Sequence, residues 1–246
     1  MKGNTKIIAM LFAAGLGTRL KPFTDKHPKA LATVNNKTIL QYNIEYLQQF
    51  GIKKIVVNVH HFADQIIKIV EENNGWGSEV MISDETDEVL DTGGGLLKAA
   101  PFFCGYENIV LMNVDILTNL HLDEMMSNHS TSKALVTLAV TKRDTSRYFI
   151  FDLENELCGW MNNKTNEIKG VEHFDETKHQ KLAFSGIHII QHKMLSLIKQ
   201  TGKFSLVDVY LDLMKTQSIK AFDHSDDLLI DVGKPESLIA AAEMFK

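Results

Sequence analysis

The chain has 246 residues, 44% hydrophobic and 23% charged, with 26 Lys and Arg against 31 Asp and Glu for a formal net charge of −5. Such a length accommodates one large α/β domain or two small ones around a sizeable core. The acidic balance argues against a general surface for a nucleic-acid polymer, and no apolar run reaches membrane-spanning length. The opening apolar stretch, Lys6 to Ala14, is too short for a signal peptide and leads into a charged loop, so a cytoplasmic location is expected. Cys104 and Cys158 stand far apart, without metal-type spacing, and are read as free thiols.

Hydrophobic periodicity switches repeatedly between strand and helix lengths, with no Ser/Pro-rich linker and no internal repeat. Ile7 to Ala13 reads as a strand. Thr38 to Phe50 reads as a helix with Ile39, Leu40, Ile44 and Leu47 on one face and Gly51 as its stop. Lys53 to His60 follows as a strand, Ala63 to Glu72 as a helix, Glu79 to Ser83 as a strand and Thr92 to Ala100 as a short helix before Pro101. Asn108 to Asn113 reads as a buried strand and Leu122 to Asn128 as a helix. This βα alternation predicts a Rossmann-like, mainly parallel sheet flanked by helices, with right-handed crossovers.

The second half is richer in strand: Ala134 to Lys142, Tyr148 to Leu153 and Leu182 to Ile190, with a turn near Asn162-Asn163. Lys193 to Gln200 and Leu206 to Lys215 read as helices, Ile219 to Phe222 and Leu228 to Val232 as extended, and Ser237 to Phe245 as a closing helix. A single domain is expected, with a nucleotide-binding half over about 1–130 and an acceptor half over about 131–246 built onto the same sheet. Open parallel sheets bind ligands beyond the carboxyl ends of their strands. Ala14-Gly15, His60, Asp84 and Asp115 fall at such ends and converge on one rim.

The segment Leu11-Phe12-Ala13-Ala14-Gly15-Leu16-Gly17-Thr18-Arg19-Leu20-Lys21-Pro22, continued to Pro28-Lys29, carries the chemistry. Glycines let backbone N–H groups close around a phosphate, and two fixed cations, Arg19 and Lys29, meet the remaining charge. A dinucleotide-binding turn is excluded because Leu20 stands where its third glycine belongs, and a P-loop because Gly17-Thr18-Arg19 lacks the Gly-Lys-Ser/Thr close. A compact polyanion such as a triphosphate is the ligand this pattern suits.

Asp115 and Asp231 each emerge where a buried strand ends. Either could simply cap a turn, and together they could share one hard cation, since Mg²⁺ favours one or two carboxylates plus phosphate oxygens and water. Three glycines, Gly93 to Gly95, open the helix after Asp91-Thr92, permitting close approach of a flat ring or a sugar, with Thr92 as its cap. The acidic run Asp84, Glu85, Asp87 and Glu88 reads as a solvated loop without a role. Ala183-Phe184-Ser185-Gly186-Ile187-His188 reads as a strand with a glycine bulge, and Tyr148, Ser185 and Gly186 are expected on the wall that receives the acceptor. His60-His61 and His188/His192 read as packing or surface residues, not metal ligands.

Taken together these residues resemble the sugar-1-phosphate nucleotidyltransferases, over essentially the whole chain. Ala13 to Leu20 with Pro28-Lys29 resembles that family's signature. Leu90 to Gly95, Phe184-Ser185-Gly186 and Ile230-Asp231-Val232-Gly233 resemble the subgroup containing N-acetylmuramate 1-phosphate uridylyltransferase, and mannose-1-phosphate guanylyltransferases share much of the pattern. The resemblance implies the nucleotide-diphospho-sugar transferase fold and transfer of a nucleoside monophosphate from an NTP, UTP favoured, to a sugar 1-phosphate, with Mg²⁺ as cofactor. It implies Arg19 and Lys29 as catalytic residues, and Ala13, Ala14, Gly15, Gly17, Thr18, Thr92 and Gly93 as further nucleotide contacts. Asp115 and Asp231 are the implied metal ligands. One departure is Val114, where relatives often carry Gly. No C-terminal β-helix is expected, because one helix follows Asp231. A guanylyltransferase, a phosphocholine cytidylyltransferase and a non-catalytic nucleotide-binding subunit remain as alternatives.

Overall fold

A computed structural model describes residues 6–245. The first half runs β1 (Ile7–Phe12), a short hairpin β2 (Thr33–Val34) and β3 (Lys37–Thr38), α1 (Ile39–Gln49), β4 (Lys54–Val59), α2 (Ala63–Glu72), β5 (Glu79–Asp84) and α3 (Asp91–Lys98). It continues through β6 (Asn108–Asn113), β7 (Ile116–Thr118) and α4 (Leu122–Ser132). The second half comprises β8 (Val136–Thr141), β9 (Arg147–Asp152), β10 (Leu157–Asn162), β11 (Glu167–Lys169), β12 (His179–Gln191), α5 (Leu206–Leu213), β13 (Ile219–Asp223), β14 (Leu229–Asp231) and α6 (Pro235–Met244).

Ten strands form one sheet. Its main path is β11-β10-β9-β12-β6-β1-β4-β5, with β8 on β12 and β13 on β8. Strands β6, β1, β4 and β5 are parallel, whereas β12 is antiparallel to β6 and carries the second half onto the same sheet. β1 is buried on both faces. Ile8 and Met10 enter one apolar layer with Leu111, Phe149 and Tyr210, and Ala9 and Leu11 enter the other with Ile44, Leu47 and Val57. The side-chain period of two thus explains why β1 reads as a continuous apolar run, not an alternating one. A smaller cluster (Val34, Ile39, Leu117, Val232, Ala241) anchors β7 and β14 against α6.

Most elements lie within a few residues of their sequence reading, because burial dictates the periodicity. Thr38 caps α1 by accepting from the Gln41 N–H, and Gly51 ends it at φ +77°. Four expectations are corrected. Lys193 to Gln200 forms a 3₁₀ turn over His192–Leu197 instead of an α-helix. Strand β12 is longer than its apolar core, since His179–Leu182 pairs with β9 before the apolar part reaches β6 and β8. Strands β10 and β11 lie where only a turn was expected, with Leu157 and Gly159 buried and the β11 residues exposed, and they are held by pairing with β9 and with each other. Finally, α6 starts earlier, at Pro235, whose fixed φ suits a first helical position. Among the described residues no helix is long and apolar enough to cross a membrane, and both cysteines are free.

Candidate active site

The glycine loop leaves β1 at Phe12 and enters a cleft of about 380 Å³ at the carboxyl ends of the parallel strands. Asn58, at the end of β4 and buried, accepts from Ala13 N (2.7 Å) and Ala14 N (3.3 Å) through Oδ1. Among the described residues, no protein group accepts from the N–H groups of Gly15, Leu16 or Gly17. Ala13 and Ala14 line the cleft, but their N–H groups are spent within the protein. Gly17 adopts φ +61°, and a Cβ there would lie 2.9 Å from Thr24 Cγ2 and 3.0 Å from Lys29 Cβ. A side chain at Gly17 would therefore push the loop off the Lys29 stem. Thr18 begins the short 3₁₀ turn that carries Arg19.

Lys29 Nζ donates to Asp115 Oδ2, and Arg19 Nη2 lies 3.4 Å from Asp231 Oδ2. Arg19 and Lys29 therefore each meet one of the two expected metal-binding aspartates. The aspartates are neighbours because β7 and β14 pair antiparallel, with Asp231 opposite Ile116 and Val232 N donating to Asp115 O (2.9 Å). Val114 does not loosen this corner. Its N–H donates to Phe12 O (3.1 Å), its carbonyl accepts from the buried Asn43 Nδ2 (2.7 Å), and its side chain is in the core. Asp231 Oδ1 also accepts from Gly233 N (2.8 Å), so the turn-capping reading is realised for Asp231 while its Oδ2 faces Arg19. A Cβ at Gly233 would sit 2.6 Å from Asp231 Oδ1 and 2.7 Å from Arg19 Nη2, so a side chain there would displace this pair.

No group of three or more His, Cys, Asp or Glu able to hold a metal occurs among the described residues. A divalent cation here would rest on Asp115 and Asp231, completed by phosphate oxygens and water. That donor set suits Mg²⁺, which seldom occupies an all-protein cage.

The glycine-rich helix differs from its sequence reading in what fills the space. A Cβ on Gly93 would fall 2.3 Å from the Phe204 ring, on Gly94 2.3 Å from Gly202 O, and on Gly95 2.6 Å from Glu85 Oε1. The glycines admit protein: Gly93 N donates to Phe204 O (2.9 Å) and Phe204 N to Leu90 O (3.2 Å). Thr92 does not cap its own helix, since its hydroxyl accepts from Leu206 N (3.0 Å) at the start of α5. Thr92 lines the cleft, whereas Gly93 is buried behind it. This docking brings Lys203 to the cleft wall. The acidic run is also corrected: Glu85 is fully buried, its Oε1 accepting from Asn58 Nδ2 (2.7 Å) and its Oε2 without a partner. Burial raises the Glu85 carboxyl above the usual carboxylate range, against the opposing Asn58 hydrogen bond.

A second pocket of about 640 Å³ opens beside Arg19 and Asp231 and is lined by Arg143, Arg147, Tyr148, Trp160 and Lys164 among others. Tyr148 is largely buried, with its hydroxyl accepting from Thr145 N (2.9 Å). Ser185 is buried and hydrogen-bonds His224 Nε2 (2.7 Å), and burial lowers the His224 pKa to about 4. Gly186, at φ +79°, forms the expected bulge in β12 and leaves no room for a side chain, as a Cβ would lie 2.9 Å from Ile116 Cγ1. It therefore packs under the strand that follows Asp115. His188 bonds the Tyr210 hydroxyl (2.6 Å) within the core, as a packing histidine.

Sequence reading missed Asn58, Glu85, Lys203, Arg143, Arg147 and Lys164. The continuous apolar run Tyr148-Phe149-Ile150-Phe151 of β9 offered a signal for Arg147, the exposed charged residue that precedes it. Nothing local marked Asn58 or Glu85, whose partners lie 27 to 45 residues away.

The chain belongs to the nucleotidyl transferase family, whose model matches residues 8–246. It is 39% identical over 110 residues to N-acetylmuramate alpha-1-phosphate uridylyltransferase from Caulobacter vibrioides, a match covering 44% of this chain and 45% of that protein. The chain thus spans about half the length of that relative. It is 28% identical over 231 residues to D-glycero-alpha-D-manno-heptose 1-phosphate guanylyltransferase from Campylobacter jejuni, covering 93% and 95% of the two chains. The crystal structure of HddC from Yersinia pseudotuberculosis complexed with GMP-PN superposes with a TM-score of 0.76 at 26% identity, over 98% of this chain and 100% of that one. A UDP-glucose pyrophosphorylase from Acinetobacter baumannii shares the fold at 17% identity, with a TM-score of 0.79 over 98% of this chain and 93% of that one.

Proposed function

We propose that this member of the nucleotidyl transferase family joins an NTP to a sugar 1-phosphate, releasing pyrophosphate, with UTP as donor. One observation carries the reading: the two cations of the glycine segment pair with two adjacent aspartates where the nucleotide cleft meets the cationic second pocket. A phosphate oxygen of the sugar 1-phosphate attacks the α-phosphorus in line, forming a P–O bond as the bond to the β,γ-pyrophosphate breaks. No covalent enzyme intermediate is needed, so positioning and electrostatics dominate.

Arg19 takes the charge of the departing β,γ-phosphates. Lys29, on the inner side, bridges the α-phosphate and the incoming sugar phosphate. The free N–H groups of Gly15 to Gly17 cradle the same anion. Asp115 and Asp231 are the residues that would hold Mg²⁺, which supplies Lewis-acid charge to the phosphate oxygens when bound. Lys29 and Arg19 then exchange carboxylate for phosphate, so the pairing in the free protein keeps both cations at their posts.

UTP is favoured through the 39% identity to the uridylyltransferase. A GTP donor is the second reading, supported by relatives that match the chain over almost its full length. A pyrophosphate-release assay crossing UTP, GTP, CTP and ATP with N-acetylmuramate, mannose, glucose and heptose 1-phosphates tests both. Turnover strongest with UTP is expected, dominance of GTP would replace UTP as donor, and no turnover with any pair would leave a non-catalytic nucleotide-binding subunit.

A further inference from the structure

We propose that Asn58 is a positioning residue for the triphosphate loop and that Glu85 sets the orientation of its amide. The inference rests on the triphosphate reading of the cleft. The Asn58 side chain faces two demands at once. Through Oδ1 it collects the consecutive N–H groups of Ala13 and Ala14, at 2.7 and 3.3 Å, and through Nδ2 it donates to Glu85 Oε1 at 2.7 Å. A carboxylate could not donate to Glu85, and a hydroxyl could not span both directions. Inverting the amide would set its NH₂ against two N–H donors and its carbonyl against a carboxylate. Only one orientation is therefore satisfied, and Glu85 selects it.

Glu85 is itself held. Its N–H donates to Val59 O (2.7 Å), and its carbonyl bonds His60 Nδ1 (2.6 Å). The helix across the cleft makes room for the pair: a Cβ on Gly95 would lie 2.6 Å from Glu85 Oε1 and 3.0 Å from Asn58 Nδ2. The third glycine of the Gly93 to Gly95 run thus serves this hydrogen bond and not a ligand. With two N–H groups turned inward onto Asn58, the loop meets its ligand through the next three, at Gly15, Leu16 and Gly17. Asn58 reaches the loop where β1 ends, so it decides where the cradle begins.

A reciprocal exchange separates positioning from mere filling of a buried polar gap. In N58D the new carboxylate still accepts from Ala13 and Ala14 but meets Glu85 without a donor once both carboxyls are ionised, so the variants are compared at alkaline pH. In the double variant N58D/E85Q the new amide at position 85 donates to that carboxylate, restoring all three hydrogen bonds with the donor reversed. The measurements are calorimetric affinity for UTP and for GTP with magnesium, steady-state kcat and KM with the donor and acceptor chosen by the screen, and Tm for each variant.

N58D is expected to lose about tenfold or more in NTP affinity and kcat, with KM for the sugar 1-phosphate within about twofold. The double variant is expected to return to within about threefold of wild type. Wild-type affinity and kcat in N58D, or a double variant no better than N58D at comparable Tm, would overturn the positioning role while leaving the triphosphate reading intact. Absence of NTP binding by the wild-type protein would overturn that reading, and this role with it.

Discussion

The two ends of the cleft are built differently. At the inner end, Lys29 and Asp115 pair with side chains only 13% and 16% exposed, and the backbone around them is pinned by the buried amides of Asn43 and Asn58. At the outer end, Arg19 and Asp231 pair across 212 residues of sequence with side chains 58% and 45% exposed, beside a wider cationic pocket. The contrast teaches where preorganisation is concentrated. A charge held in a dry, fixed corner acts on a phosphate without reorganising, whereas a solvated pair is screened and adjustable. On the proposed mechanism the inner corner suits the α-phosphate, where bonds form and break, and the outer one suits the β,γ-phosphates, which leave into solvent as pyrophosphate.

Four perturbations would break or sharpen this contrast. Lys29→Met, which keeps the stem but strips the inner charge, should lower kcat on the order of 10³-fold, read by single-turnover pyrophosphate release. A loss below about tenfold would remove the inner corner from the chemistry. At the outer pair, Arg19→Ala should cost roughly 10- to 100-fold in kcat, and Asp231→Asn should raise the magnesium concentration needed for half-maximal rate. An unchanged magnesium titration would argue that Asp231 is not a ligand. Within the acceptor pocket, Arg147→Ala should raise KM for the sugar 1-phosphate about three- to tenfold with kcat nearly constant, since an exposed cation contributes about 1 kcal/mol of uniform binding.

The smallest effect concerns acid. Burial lowers His129 and His224 from 6.5 to about 4 and His188 to about 3. The unfolded chain therefore takes up protons below its ordinary value of 6.5 while the folded chain does not, and stability falls as pH drops from 6.5 toward 4. All three lie in α4 or the acceptor half. His224→Gln, which can keep a hydrogen bond to Ser185, should flatten that decline modestly in acid-melting curves. An unchanged slope would show that His224 titrates alike in both states.

Legibility followed locality. The strands β1, β4 and β6 and the helices between them were readable because each needs its own apolar run or amphipathic face. The pair β10 and β11 was not, because apart from the buried Leu157 and Gly159 its residues are partly or fully exposed and rely on strand pairing. Arg19, Lys29, Asp115 and Asp231 could be singled out through their spacing from glycines and strand ends, and the structure brings them together in two ion pairs. Glu85 was misread because a carboxylate in an acidic run is ordinarily solvated, and its burial depends on an amide donated from another strand.

The sequence by itself determined that a parallel sheet presents a glycine loop and two cations at one rim, since periodicity and φ freedom are properties of short segments. Only the tertiary structure decided which partners those residues meet. The β7–β14 pairing set Asp231 beside Asp115, and the 202–204 segment took the space left by Gly93 and Gly94. Asn58 took the first two N–H groups of the loop. Hydrogen bonds and charge pairs are settled by distance in space, and no local pattern encodes a contact made across 45 or 212 residues.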